Sequence, residues 1–180
     1  MEIFDIVDDN GIPTGETIER GLAHRTGAQH RTAHVWIARK KGQDTELLLQ
    51  KRCHDKDSFP DCYDISSAGH IPAGVDYIPS ALRELKEELG IEADAGNFID
   101  CGIHRLEFHG HFHGEEFFDR QVSRVLLLWL DKEAEDFQVQ KEEIESVTWM
   151  EFEACRDAVV NMTIPNCIDV KELDMLKKHF

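Results

Sequence analysis

The run from Val122 to Leu130, VSRVLLLWL, is almost wholly apolar and restricts the possible folds more than any other stretch. A strand with one wet face alternates apolar and polar residues, so a run of this kind belongs to a strand covered on both faces. Two earlier stretches agree. Ala33, Val35 and Ile37 alternate with His34, Trp36 and Ala38. After the charged turn Lys40-Lys41-Gly42-Gln43-Asp44, the run from Glu46 to Arg52 reads as the antiparallel partner, again apolar on two faces. Ile3 to Val7, the turn Asp8-Asp9-Asn10-Gly11 and Ile12-Pro13 predict an N-terminal hairpin, and residues 17–27 a connector of low regularity. Further strands are expected at Tyr63 to Ala68, Asn97 to Phe108 and Glu142 to Met150. A turn spans His109 to Glu116, and helices cover Glu151 to Asn161 and Asp169 to Lys178. Strands in hairpins with helices interspersed predict an α/β fold, a mixed sheet sandwiched between helical layers. One domain over 1–180 is expected: hairpin and connector over 1–29, a core over 30–160, and a C-terminal helix over 161–180.

The segment Arg83-Glu84-Leu85-Lys86-Glu87-Glu88-Leu89-Gly90 carries the chemistry. On a helix Glu84, Glu87 and Glu88 converge at i, i+3 and i+4, while Leu82, Leu85 and Leu89 form an apolar stripe. Like charges at these spacings repel by a few tenths of a kcal/mol each. Glu87 and Glu88 also lie near the stop at Gly90, where helix carbonyls already favour a cation. A solvated acidic face is the plainer account of three glutamates alone. The chemical account is a hard divalent cation, since Mg²⁺ is held by one or two carboxylates, with water and substrate phosphate at its other positions.

The wider spacing is Gly69-x5-Val75-x7-Arg83-Glu84-Leu85-x-Glu87-Glu88-x-Gly90-Ile91. It resembles the Nudix box, G-x5-E-x7-R-E-U-x-E-E-x-G-U with U aliphatic, at every defined position except Val75, where the family has Glu. The resemblance implies a Nudix-type α/β/α sandwich with a mixed sheet and a loop-helix-loop box. It also implies Mg²⁺ or Mn²⁺ and hydrolysis of a diphosphate linked to another moiety. Carried over by position, Glu84, Glu87 and Glu88 would be metal ligands and Arg83 would brace the loop. The missing Glu bears on loop geometry, and Asp76 beside it points elsewhere. Glu87 and Glu88 are also catalytic candidates, because a carboxylate must take a proton from the attacking water. Glu142, Glu143 and Glu145 resemble the acidic stretch that reaches the site from outside the box. Spacing does not choose among them, and Glu142 heads the set. Lys51 and Arg52 are candidate phosphate contacts.

A second resemblance covers most of residues 2–150: Glu2-x-x-Asp5, Gly11, His30-Arg31-Thr32, Gln50-Lys51-Arg52, Lys56-x-x-Phe59-Pro60 and Ala68-Gly69-His70. These are similar to the isopentenyl-diphosphate-isomerase-like branch of Nudix proteins. That chemistry uses a cysteine and a glutamate, and here Ser67 and Gln121 fall on their positions. A hydroxyl and a neutral amide cannot replace them as a proton-transfer pair near neutral pH. The reading is therefore a hydrolase without the isomerase pair. His30 and His70 match metal-binding positions of the branch, with His24 near a third. Together with Asp119 they offer a second site for Mg²⁺, Mn²⁺ or Zn²⁺, the alternative being histidines that hydrogen-bond loops. His109, His111 and His113 read as a solvated hairpin tip.

The formal net charge of −16 disfavours a nucleic-acid partner or an anionic membrane, and would repel a diphosphate unless local cations invert the field. Five cysteines, odd in number and without a CxxC pair, read as reduced thiols in a cytoplasmic protein. The expected function is divalent-metal-dependent hydrolysis of a nucleoside diphosphate derivative or similar small diphosphate. The alternatives are isomerase-like activity or a non-catalytic nucleotide-binding module. A homodimer through the early hairpin or the strand near Arg120 is an expected option.

Overall fold

The computed structural model describes residues 2–180. Its strands are β1 (Ile3–Val7), β2 (Pro13–Glu19), β3 (His30–Lys41), β4 (Asp44–Arg52), β5 (Tyr63–Asp64), β6 (Ser67–His70), β7 (Phe98–Phe112), β8 (Glu115–Trp129) and β9 (Ile144–Glu151). Its helices are α1 (Arg20–Thr26), α2 (Tyr77–Leu89), α3 (Phe152–Val160) and α4 (Val170–Leu176). β1 and β2 form a separate hairpin; the other strands make one mixed sheet in the order β5-β4-β3-β8-β7, with β6 on β3 and β9 on β4. β3 and β8 are its parallel pair, in register from His30 opposite Gln121 to Ala38 opposite Trp129.

Two cores explain the two-faced apolar strands. Val35, Ile37, Leu48, Leu126 and Leu128 pack against Ala81, Leu85 and Leu89 of α2. Trp36, Leu47, Leu49, Val125 and Leu127 pack against Phe152, Cys155 and Val159 of α3 and Leu173 and Leu176 of α4. The expected sandwich is therefore present. Each fully buried Leu stabilises it by about 1.5–3 kcal/mol. On α2, Ala81 joins Leu85 and Leu89 in the buried stripe, and Leu82 is only half-buried.

The sheet forks. β3 and β4 pair only beside their turn, from Ala38 opposite Leu47 to Lys41 opposite Asp44. Beyond that point β6 takes the edge of β3 and β5 that of β4, while β9 runs along the opposite edge of β4 from Glu46 to Arg52. The Ser66 hydroxyl sits at the fork, accepting from Ile37 N at 2.7 Å and donating to Leu48 O at 2.6 Å. A cleft of about 440 Å³ is lined by residues of β3, β4, β6, α2 and β8.

Two expectations are corrected. Residues 17–27 are not a loose connector but the end of β2 followed by α1. The Glu19 carboxylate caps that helix by accepting from Gly21 N and Leu22 N at 2.9 and 3.0 Å, and Gly27 ends it at φ 69°. The turn expected over His109 to Glu116 shrinks to His113-Gly114, both at positive φ (53° and 83°), as a two-residue hairpin turn requires. The flanking residues extend β7 and β8, which pair as far as Phe112 opposite Glu115. Phe59, Phe108, Phe112 and Phe117 stack around that extension. Among the described residues no helix is long and apolar enough to cross a membrane, and all five cysteines are free.

Candidate active site

Two caps and the leucine stripe fix the rotation of α2. Asp76 accepts from Tyr77 N at 2.7 Å, and Gly90, at φ 66°, donates to Leu85 O and Lys86 O. With Leu85 and Leu89 buried on one side, Glu84, Glu87 and Glu88 line the cleft on the other. Gly69 of β6 allows the approach: a Cβ there would lie 2.3 Å from the carboxyl carbon of Glu84. Arg83 donates to Glu84 Oε1 at 2.5 Å and to His70 O at 3.5 Å, bridging the helix to the end of β6. Glu87 is the exposed member, with 59% of its side chain accessible.

Glu88 is nearly sealed and accepts the Ser67 hydroxyl at 2.6 Å. Burial, reinforced by the neighbouring Glu84, Glu143 and Asp64, pushes its carboxyl up to about 8, although the Ser67 hydrogen bond pulls the other way. Burial also raises Glu84, opposed by Arg83. The whole cleft is over-acidic. Seven carboxylates line it against four Lys and Arg side chains. Each of those cations has a carboxylate partner: Arg20 with Glu2, Arg52 with Asp64, Lys56 with Glu143 and Arg83 with Glu84. Seven less four leaves three, Glu87, Glu88 and Asp119, and only Glu87 has a distant cation, Arg83 at 3.9 Å.

Asp119 belongs to a second cluster. His24 of α1, His30 of β3 and His70 of β6 bring ligand atoms within 4.8 Å of one another. Their Nε2 atoms and Asp119 Oδ1 are all buried without a hydrogen-bond partner. His30 Nδ1 meets Ala28 O at 2.9 Å, which makes Nδ1 the donor and leaves Nε2 a free lone pair, 3.4 Å from Asp119 Oδ1. Phe4 of the hairpin stacks on His30 and His70 at centroid distances of 4.9 and 4.8 Å. Burial and mutual repulsion hold His24 down to about 4, and burial lowers His30 and His70 as well, so all three rings are neutral at physiological pH. Neutral imidazoles and a carboxylate with inward lone pairs fit a divalent ion of the Mn²⁺ or Zn²⁺ type. The alternative, histidines satisfied by loops, does not describe these nitrogens.

Other candidates are relocated. Glu142 sits exposed in the turn before β9 and does not reach the cleft; its neighbour Glu143 does, held by Lys56, because the tight turn projects the two in different directions. Lys51 lies outside the cleft, paired with Glu145 at 3.0 Å. Arg52 lines it, donating to Asp64 Oδ2 at 3.0 Å and to the carbonyls of Ser58 and Phe59. Val75 packs against the α2 core, and its carbonyl accepts from Arg31 at 2.8 Å. Asp76 is committed to its cap, so it does not stand in for the absent glutamate. His109 and His111 stay exposed on β7. Ser67 and Gln121, on the isomerase proton-transfer positions, are occupied by Glu88 and by Asp119, the latter at 2.6 Å. Sequence reasoning missed Glu2, Arg20, His34 and Asp64 as cleft residues, and assigned no site role to Lys56 although it quoted the Lys56-x-x-Phe59-Pro60 run.

Comparison with known proteins adds the lineage. Residues 28–164 match the NUDIX domain. The chain is 40% identical over 159 residues to Nudix hydrolase 3 of Arabidopsis thaliana, covering 87% of this chain but spanning only 20% of that protein's length. It is 36% identical over 152 residues to an uncharacterized Nudix hydrolase of Clostridium acetobutylicum, covering 84% of this chain and 71% of the relative. A Deinococcus radiodurans crystal structure superposes with a TM-score of 0.73 at 18% identity, covering 98% of both chains, a likeness of fold alone. The box, the sandwich and these relatives together place the chain in the Nudix hydrolase family of enzymes.

Proposed function

We propose that this protein hydrolyses a diphosphate linkage in a small phosphoanhydride of the nucleoside-diphosphate-derivative kind, using Mg²⁺ or Mn²⁺. The observation that carries this reading is the surplus of carboxylates in a cleft whose cations are already engaged. Glu84, Glu87 and Glu88 would hold the ion, which supplies charge neutralisation and a water of lowered pKa. Glu88 would serve as a ligand in its ionised form, its proton released to solvent, while the Ser67 hydroxyl donates to Oε2 and holds that oxygen oriented. Arg52, anchored by Asp64 and two carbonyls, directs a rigid guanidinium at phosphate oxygens. Glu143, positioned by Lys56, takes the proton from the attacking water.

The histidine cluster is proposed as a second metal centre, His24, His30, His70 and Asp119 being its ligands. It supports descent from the isomerase-like branch without the isomerase proton-transfer pair. The test is release of phosphate and of nucleoside monophosphate from a panel of nucleoside diphosphates, nucleotide sugars, dinucleotides and isoprenoid diphosphates with Mg²⁺ or Mn²⁺. Metal-dependent turnover of one class, lost in Glu87→Gln, is expected. Ligands that raise the melting temperature without any turnover would show a binding module instead.

A further inference from the structure

His34 stands apart from every other basic group of the cleft. It lies on β3, two residues beyond Thr32 and on the same face, and lines the cleft with 13% of its side chain accessible. Its partner is not a cleft carboxylate. Nδ1 meets Oε1 of Glu172 at 2.7 Å, and Glu172, on α4 beneath the sheet, is almost fully buried. The other oxygen of Glu172 accepts Trp36 Nε1 at 2.8 Å. Behind it His104 of β7 approaches the same carboxylate at 3.5 Å and pairs through Nε2 with Asp169 at 2.9 Å. A carboxylate gripped in this way fixes the ring's rotation and leaves Nε2 as the outward atom. That nitrogen has only a long contact, 3.2 Å, with a Thr32 hydroxyl that makes a shorter bond of 2.7 Å to Ser123.

We propose that His34 is a phosphate-binding residue, donating Nε2–H to a non-bridging oxygen of the diphosphate, and that Glu172 of α4 is its positioning residue. The proposal rests on the diphosphate reading above and extends the site to the far side of the sheet. The four Lys and Arg side chains of the cleft must each share a substrate oxygen with a carboxylate already in contact. His34 has no such competitor on its outward side. Burial opposes charge on the ring, but Glu172 outweighs it, and Asp64 of β5 and Asp119 of β8 act in the same sense, so the ring titrates above its ordinary value. A donor of this kind keeps its charge to higher pH than a free imidazole and loses it as pH rises through that raised value.

The probe is methylenediphosphonate, which cannot be hydrolysed, titrated at saturating Mg²⁺ by calorimetry. His34→Gln is expected to weaken its binding by about 10- to 100-fold and to raise KM for the substrate more than it lowers kcat. An alkaline fall in affinity is expected of the wild type, and it should disappear in His34→Gln and move to lower pH in Glu172→Gln. Wild-type binding retained in His34→Gln, or an alkaline limb that Glu172→Gln leaves in place, overturns the proposal. Should either variant fail to fold, imidazole ¹⁵N resonances of the wild type decide. His34 Nε2 must shift on saturation with the diphosphonate, and an unmoved resonance, or a wild type that does not bind the probe, overturns the assignment. Binding without turnover of any diphosphate would instead remove the hydrolase reading and leave His34 standing.

Discussion

The two candidate metal centres adjoin one cleft, which His70 and Asp119 of the second also line, but they are built in opposite ways. Glu84, Glu87 and Glu88 come from little more than one turn of α2, whereas His24, His30, His70 and Asp119 come from α1, β3, β6 and β8. The first has too much negative charge for its surroundings; the second is nearly neutral and has lone pairs that nothing satisfies. Charge imbalance and hydrogen-bond imbalance are separate physical problems, and a divalent ion resolves both. Hard oxygen ligands suit Mg²⁺, while imidazoles with one carboxylate suit Mn²⁺ or Zn²⁺.

Single substitutions should separate the two. Glu88→Gln removes an oxygen ligand while keeping a partner for Ser67, and is expected to lower kcat/KM by about 10³-fold. Metal analysis should show the transition ion of the histidine centre still bound. His30→Ala is the reciprocal change: it should release that ion while Mg²⁺ binding at the box, followed by calorimetry, persists. Loss of both metals from either variant would mean one coupled centre and would break the comparison.

A smaller effect separates them by pH. Glu88 has a folded pKa of about 8 against an ordinary 4.5, so across that window the folded protein holds a proton that the unfolded chain has released. The contribution of Glu88 to the stability of the metal-free protein therefore falls as pH rises from about 4.5 to 8, while the lowered histidines act in the opposite sense below about pH 6.5. Mg²⁺ should restore the melting temperature at pH 8 far more than at pH 5, and Glu88→Gln should flatten the slope. A pH slope that Glu88→Gln leaves unchanged would contradict the burial assigned to this carboxyl. The smallest expected change is Val75→Glu. Because Val75 packs on the core and Arg31 engages only its carbonyl, restoring the family glutamate should alter kcat by less than about threefold and cost about 1 kcal/mol by denaturant unfolding.

The box was legible because its geometry is local: helix period alone brings Glu84, Glu87 and Glu88 together, and Gly90 marks the stop. The sandwich was legible from the two-faced strands β3, β4 and β8, whose apolar residues require cover above and below. The site beyond the box was less so. Only the isomerase-like resemblance brought His30 and His70 together, since they sit on adjacent antiparallel strands in a register that local pattern does not encode. Glu142 and Glu143 could not be told apart, because a turn separates neighbours that spacing treats alike. His34 read as an ordinary strand residue, its partner Glu172 lying 138 positions away in sequence. Helix α1 was missed because its seven residues are too few for periodicity to register, leaving Glu19 and Gly27 as its punctuation.

Phe4 and His24 both precede residue 28, where the match to the NUDIX domain begins. The part of the chain that identifies the family thus contains the whole box but not the whole histidine centre. In evolutionary terms the two centres can have separate histories. An exchange of the first two dozen residues would remove His24 and the aromatic cover of Phe4 from one while leaving the other intact, so the box by itself does not tell whether a chain carries the histidine cluster.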